Sequence, residues 1–177
     1  HSLKNLNRSH AQVLAEVRDI RATIDALPAA EQSKLEGSLS TAFGCTLEGV
    51  VPEAKILEMG EKLIAAGCDE IGLSDTTGFA SPVQVRNYTR KLWEVVGKDR
   101  LTGIHLHNTR GQGLANVMAA LDVGLTTIDA SMGGIGGCPF APGASGNIVT
   151  EDLVFLLESM GLRTGVKMAV VDANGKL

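Results

Sequence analysis

The chain has 177 residues, is 44% hydrophobic and 20% charged, and carries a formal net charge of −4. That length suits one globular domain with a substantial core, and the composition is too apolar for a disordered chain. The basic residues around Lys4–Arg8 and Arg86–Lys91 are interspersed with polar and acidic ones, which speaks against a nucleic-acid partner, and no run of 18 uncharged apolar residues is present to span a membrane.

The first predicted element is a helix capped by Ser9, with an apolar stripe of Val13, Val17, Ile20, Ile24 and Leu27 and a stop at Pro28. Four strand–helix units follow. Leu35–Phe43 reads as a strand broken at Gly44, and Pro52 opens a helix running to Ala66 with Gly67 as its C-terminal cap. Glu70–Ser74 is the second strand, and its helix starts at Ser81–Pro82 and ends at Gly97. Leu101–His107 is the third strand, followed by a helix carrying Leu114, Val117, Met118 and Leu121 that ends at Gly124. Thr126–Ala130 is the fourth. A long glycine-rich segment then leads to Thr150, read as the N-cap of a last helix containing Leu153, Phe155, Leu156 and Leu157, with Glu151 and Asp152 in its first turn.

Strand–helix units of roughly 30 residues imply parallel strands covered by helices, which fits either an open doubly wound sheet or a (β/α)₈ barrel. A barrel needs about 250 residues, so four strands are half of one. Such a half would expose two sheet edges, leaving it to pair with another half, to swap between chains, or to need a missing portion.

Three cysteines without a close pair (Cys45, Cys68 and Cys138) give no disulfide framework and no zinc knuckle. The chain lacks a signal peptide and an initiator Met, which processing or truncation would explain. A reducing compartment follows, either a bacterial cytoplasm or a mitochondrial matrix after loss of a transit peptide.

Polar residues gather at the carboxyl ends of the strands, where parallel βα folds carry function. His105 and His107 flank Leu106 and share one strand face, so both imidazoles can reach one divalent ion or form a hydrogen-bonding pair. Asn108 is placed to support the next turn, and Arg110 offers a cation near the mouth or a structural ion pair. The run from Gly133 to Asn147, GGIGGCPFAPGASGN, has six glycines, with Pro139 and Pro142 restricting its path. It suits an active-site loop or a plain connection, and it lacks the context of a dinucleotide or P-loop site. Cys138 in this loop can exchange a proton with substrate or simply pack. Asn147 can offer an amide oxygen to a metal or satisfy loop backbone. Asp75 can orient a ligand or form a turn, and Asp129 reads as structural within the fourth strand.

AFGCTLEG, GLSDTTG and IHLHNTRGQGLAN, followed by GGIGGCPFAPGASGN and TEDLVFLLE, occur in the order found in the 3-hydroxy-3-methylglutaryl-CoA lyase family of metal-dependent TIM-barrel enzymes, which this chain resembles over nearly its whole length. The resemblance implies that residues 1–177 are the C-terminal part of one (β/α)₈ barrel whose N-terminal strands are absent. It implies His105, His107 and Asn147 as ligands of Mg²⁺ or Mn²⁺, with a fourth from an Asp in an RDG-like motif on the family's first strand. That motif, its Arg and an early acidic residue are not in this sequence, so the piece alone is expected to be inactive. The implied reaction is cleavage of 3-hydroxy-3-methylglutaryl-CoA to acetyl-CoA and acetoacetate, with Cys138, His105 and Asp75 as catalytic candidates. The alternatives are a related lyase for citramalyl-CoA or a longer branched substrate, with Phe43, Phe79 and Met132 near the acyl group, or a noncatalytic half-barrel. An acyl-CoA substrate, and assembly as a homo-oligomer or with the other half of the barrel, complete the expectation.

Overall fold

The computed structural model describes residues 1–138 and 143–167, so Pro139 and Pro142 lie outside the described residues. Two helices precede the sheet: α1 (Ser2–Asn5), which the sequence did not suggest, and α2 (His10–Asp25). The sheet is built from β1 (Glu36–Leu39), β2 (Glu70–Asp75), β3 (Leu101–Leu106) and β4 (Thr127–Asp129). The connecting helices are α3 (Glu53–Ala66), α4 (Pro82–Val96) and α5 (Gly113–Val123), and α6 (Thr150–Ser159) follows β4. All three strand pairings are parallel, in the order β1-β2-β3-β4. The sheet does not close on itself, as expected of part of a (β/α)₈ barrel.

Local chemistry explains the helix boundaries. Ser9 and Ser81 each form a reciprocal capping box, with Gln12 and Gln84 at the third helical position. Gly67 ends α3 in the left-handed region at φ 113°, where its N–H reaches the carbonyls of Leu63 and Ile64. At α6 the cap is Val149, and Thr150 is already helical. The first strand is shorter than its apolar pattern predicts because residues 40–43 turn, with Thr41 at φ 58°.

The strands separate two environments. Gly37, Leu39, Ile71, Leu73, Ile104 and Leu106 face the helices and are buried. With Leu63, Leu92 and Val117, all of these but Gly37 belong to one apolar core. The other face is concave and polar. One irregularity sets which residues lie there. Ile71 pairs with Leu101, but Gly72 pairs with Gly103, so Thr102 is an extra residue on β3. Helix α2 follows its predicted stripe only in part. Leu14 is buried and Val17 half-buried, whereas Ile20 and Leu27 are exposed, because α2 meets α3 on one side only among the described residues. Met132, Ile135 and Phe155 are likewise exposed around and beyond the β4 end of the sheet. No described helix is long and apolar enough to cross a membrane.

Candidate active site

The concave face bounds a cavity of about 910 Å³ lined by His105, His107, Cys138 and Asn147, with Ser38 and Ser74 on the neighbouring strands. Strand register sets its layers. Glu36 lies opposite Glu70 at the floor, and Ser74, His105 and Asp129 are side by side above it. The Ser38 and Ser74 hydroxyls are hydrogen-bonded at 2.7 Å. Partial burial pushes the Glu36 carboxyl above its ordinary range, helped by the charges of Asp129 and Glu70.

The imidazoles of His105 and His107 have ring centroids 5.2 Å apart. Each uses one nitrogen toward an oxygen that can only accept. His107 Nδ1–H donates to the Ser145 carbonyl at 3.0 Å, and His105 Nδ1 sits 3.4 Å from Asp129 Oδ2. An acceptor at Nδ1 places the proton there and leaves Nε2 with its lone pair. Desolvation lowers the pKa of His105, with the neighbouring His107 adding to this and Asp129 opposing it. A neutral ring follows near neutral pH, as a metal ligand requires.

His107 lies just past the end of β3 and bridges to Asn147. Ile148 N–H donates to the Leu106 carbonyl at 3.2 Å, and Asn108 N–H to the Gly146 carbonyl at 3.2 Å. These bonds bring the end of the glycine-rich loop alongside the histidines. Asn147 Nδ2 donates to the Ile135 carbonyl at 2.9 Å, while its buried Oδ1 has no hydrogen-bond partner. A buried oxygen without a partner costs on the order of 1–3 kcal/mol, so it marks a place made for a donor or a cation. The loop's two arms touch backbone to backbone, and a Cβ at Gly146 would overlap the Gly134 carbonyl. This is a packing reason for glycine that pattern reading did not isolate.

Cys138 lines the same cavity, half-buried, with Sγ 3.7 Å from His1 Nε2. Asp75 is placed elsewhere. It points toward the helix layer, is 1% exposed, and accepts the Phe79 N–H through Oδ1 at 2.8 Å. Its Oδ2 is buried and unpartnered, and burial raises its pKa to about 6 despite two backbone hydrogen bonds and the nearby His107 and Arg110. It shapes the β2–α4 turn and does not line the cavity. Asp129, read as structural from sequence, faces the cavity beside His105. Arg110 lies over the Phe79 ring, 4.3 Å from its centroid, and donates to the Gly78 carbonyl at 2.8 Å.

His105, His107 and Asn147 thus bring two imidazoles and an orphaned amide oxygen to one cavity, donor types that could hold a divalent ion. Among the described residues no group of three His, Cys, Asp or Glu side chains is placed to hold a metal ion.

The HMGL-like family profile matches residues 1–174. The chain belongs to the HMGL-like family. Hydroxymethylglutaryl-CoA lyase YngG of Bacillus subtilis is 40% identical to this family member over 170 residues, which cover 95% of this chain and 54% of that protein. The mitochondrial hydroxymethylglutaryl-CoA lyase of Homo sapiens is 42% identical over 147 residues, covering 81% and 45%. An HMG-CoA lyase from Acinetobacter baumannii, solved with coenzyme A and 3-methylmalate, superposes with a TM-score of 0.84 at 41% identity, covering 93% of this chain and 52% of that one. This HMGL-like chain thus spans about half the length of the relatives it matches.

Proposed function

We propose that residues 1–177 are the C-terminal part of a single (β/α)₈-barrel domain. Its complete form is a divalent-metal-dependent lyase cleaving 3-hydroxy-3-methylglutaryl-CoA to acetyl-CoA and acetoacetate. The observation that carries this reading is the convergence of His105, His107, Asn147 and Cys138 on one cavity in a chain with lyases among its relatives. His105, His107 and Asn147 would hold Mg²⁺ or Mn²⁺, with a fourth protein ligand from outside this sequence. Bound there, the ion would supply Lewis acidity to substrate oxygens.

The chain's own residues have distinct tasks. The Asp129 carboxylate and the Ser145 carbonyl orient the two imidazoles. Cleavage needs loss of the substrate hydroxyl proton, rupture of the adjacent carbon–carbon bond, and passage of that electron pair into the thioester as an enolate. Cys138 is the proton donor to the enolate carbon. His105 takes part in moving the hydroxyl proton. Asp75 acts from behind this layer, through the turn it caps, and not by touching substrate.

Part of the barrel outside this sequence closes the sheet. A second copy of the same face is a poorer fit, because it would set Glu36, Glu70 and Asp129 against their own copies. By this reading the chain alone is inactive, and the complete enzyme takes an acyl-CoA and works in a bacterial cytoplasm or a mitochondrial matrix.

A second reading keeps the chemistry and changes the acyl group. The Acinetobacter baumannii relative was solved with 3-methylmalate beside coenzyme A, which favours a related branched 3-hydroxyacyl-CoA. The test is acetoacetate release from 3-hydroxy-3-methylglutaryl-CoA by the full-length protein with Mn²⁺. The expected result is release that stops with a chelator and falls at least 100-fold in Cys138→Ala, within the usual weight of a proton-transfer residue of about 10²–10⁴. A folded, metal-loaded protein with no release would sink this substrate and send the assay to citramalyl-CoA.

A further inference from the structure

The orientation of His107 depends on a contact that plays no part in the proposed chemistry. Thr109 lies two residues beyond it, in the turn before α5. Its Oγ1 accepts the Ser145 N–H at 3.1 Å, and the Ser145 carbonyl accepts His107 Nδ1–H at 3.0 Å. One loop residue is therefore gripped at both ends by side chains from the same strand end.

Thr109 is itself fixed. Gly78, at φ +67°, lies so close that a Cβ there would overlap Thr109 Oγ1 and Cβ and come within 3.1 Å of its backbone nitrogen. The Gly78 carbonyl takes a hydrogen bond from Arg110 at 2.8 Å. The β2–α4 turn, the β3–α5 turn and the end of the glycine-rich loop thus stack in that order through Gly78, Thr109 and Ser145. Gly146 follows Ser145 and is held through its carbonyl by the Asn108 N–H at 3.2 Å, and Thr109 holds residue 145 from its other side.

We infer that Thr109 is a positioning residue: its hydroxyl, by fixing Ser145, holds His107 in the Nδ1–H form with Nε2 turned to the site shared with His105 and Asn147. The direction of Nε2 toward an ion rests on the metal reading above. The ring's tautomer does not, and it can be measured without metal.

The experiment uses the full-length protein that carries this chain, as wild type, Thr109→Val and Thr109→Ser. Long-range ¹H–¹⁵N correlation on the metal-free protein reads the His107 tautomer, and electron paramagnetic resonance titration reads Mn²⁺ affinity. The expected result is one Nδ1–H tautomer in wild type and the serine variant, and a mixture in the valine variant. Mn²⁺ affinity then falls by up to roughly 10–100-fold in the valine variant alone, the usual effect when the outer hydrogen bond of a metal ligand, here that of His107 to Ser145, is lost. A single tautomer retained in Thr109→Val overturns the inference, as does a serine variant that behaves like valine. If wild type takes up no Mn²⁺, the metal reading falls while the tautomer comparison still decides the role of Thr109. Should the valine variant fail to fold by circular dichroism, Thr109→Ala is measured in its place.

Discussion

At the scale of single residues, the structure separates groups that look alike in the sequence. Asp75 and Asp129 both end strands, yet one caps a turn behind the sheet and the other faces the cavity beside His105. Asp75 gives a pH prediction. Its folded pKa of about 6 lies above the ordinary 3.8, so the unfolded chain ionises first. Stability is then highest below pH 4, falls as the pH rises to about 6, and is level beyond, by up to about 3 kcal/mol. Asp75→Asn keeps the oxygen for the Phe79 N–H and removes the charge. Urea melts of the full-length protein between pH 4 and 7 should show a slope in wild type that the variant lacks. Both histidines, Cys138 and Asn147 were legible because their residue types carry chemistry at a strand mouth. Thr109 and Ser145 were not, because their part is played through backbone groups that no side-chain pattern records.

At the scale of elements, the helices were legible almost to the residue wherever capping chemistry was explicit. Ser9 and Ser81 form their capping boxes, and Gly67 and Gly124 adopt left-handed conformations at the ends of α3 and α5. Replacing Ser81 by Ala should cost about 1 kcal/mol, read from chemical melts of the full-length protein. The strands were less legible. Apolar content extended the first strand to Phe43, whereas the chain turns after Leu39 and uses Ala42 and Phe43 as core residues of a loop. The glycine-rich loop was recognisable as special, but not for the contact that fixes it. Gly146→Ala should force the two arms apart at Gly134 and move Asn147. Mn²⁺ affinity should drop by tenfold or more with little loss of global stability, measured by calorimetric titration beside thermal melts.

At the scale of the whole molecule, the fold class was legible because the βα repeat is periodic, and four strands against the size of a barrel gave the open sheet. The polar concave floor was not, since Glu36, Glu70 and Asp129 become neighbours only through strand register. Both β1 and β4 are edges of the sheet, and Met132, Ile135 and Phe155 are exposed near one of them. The isolated chain should therefore associate as its concentration rises. The floor carboxylates should oppose this at high pH. Because Glu36 is held above its ordinary range, sedimentation velocity should show more association at pH 5 than at pH 8. Association indifferent to pH would mean that the floor takes no part in the contact.

The extra residue on β3 gives the site a dependence on counting. Leu101 faces the helix layer, and were Thr102 taken into the ladder instead of bulged out, every residue after it would shift one place against β2. His105 and His107 would then stand in the helix layer's phase, and Ile104 and Leu106 would point into the cavity. Whether this strand turns its histidines or its Ile104 and Leu106 to the cavity is thus a matter of odd or even, decided three residues before the first histidine. Among homologous sequences, a single-residue gap at this point would close the bulge and leave both histidines on the cavity side, whereas taking Thr102 into the ladder would exchange the two faces with the His-Leu-His string intact.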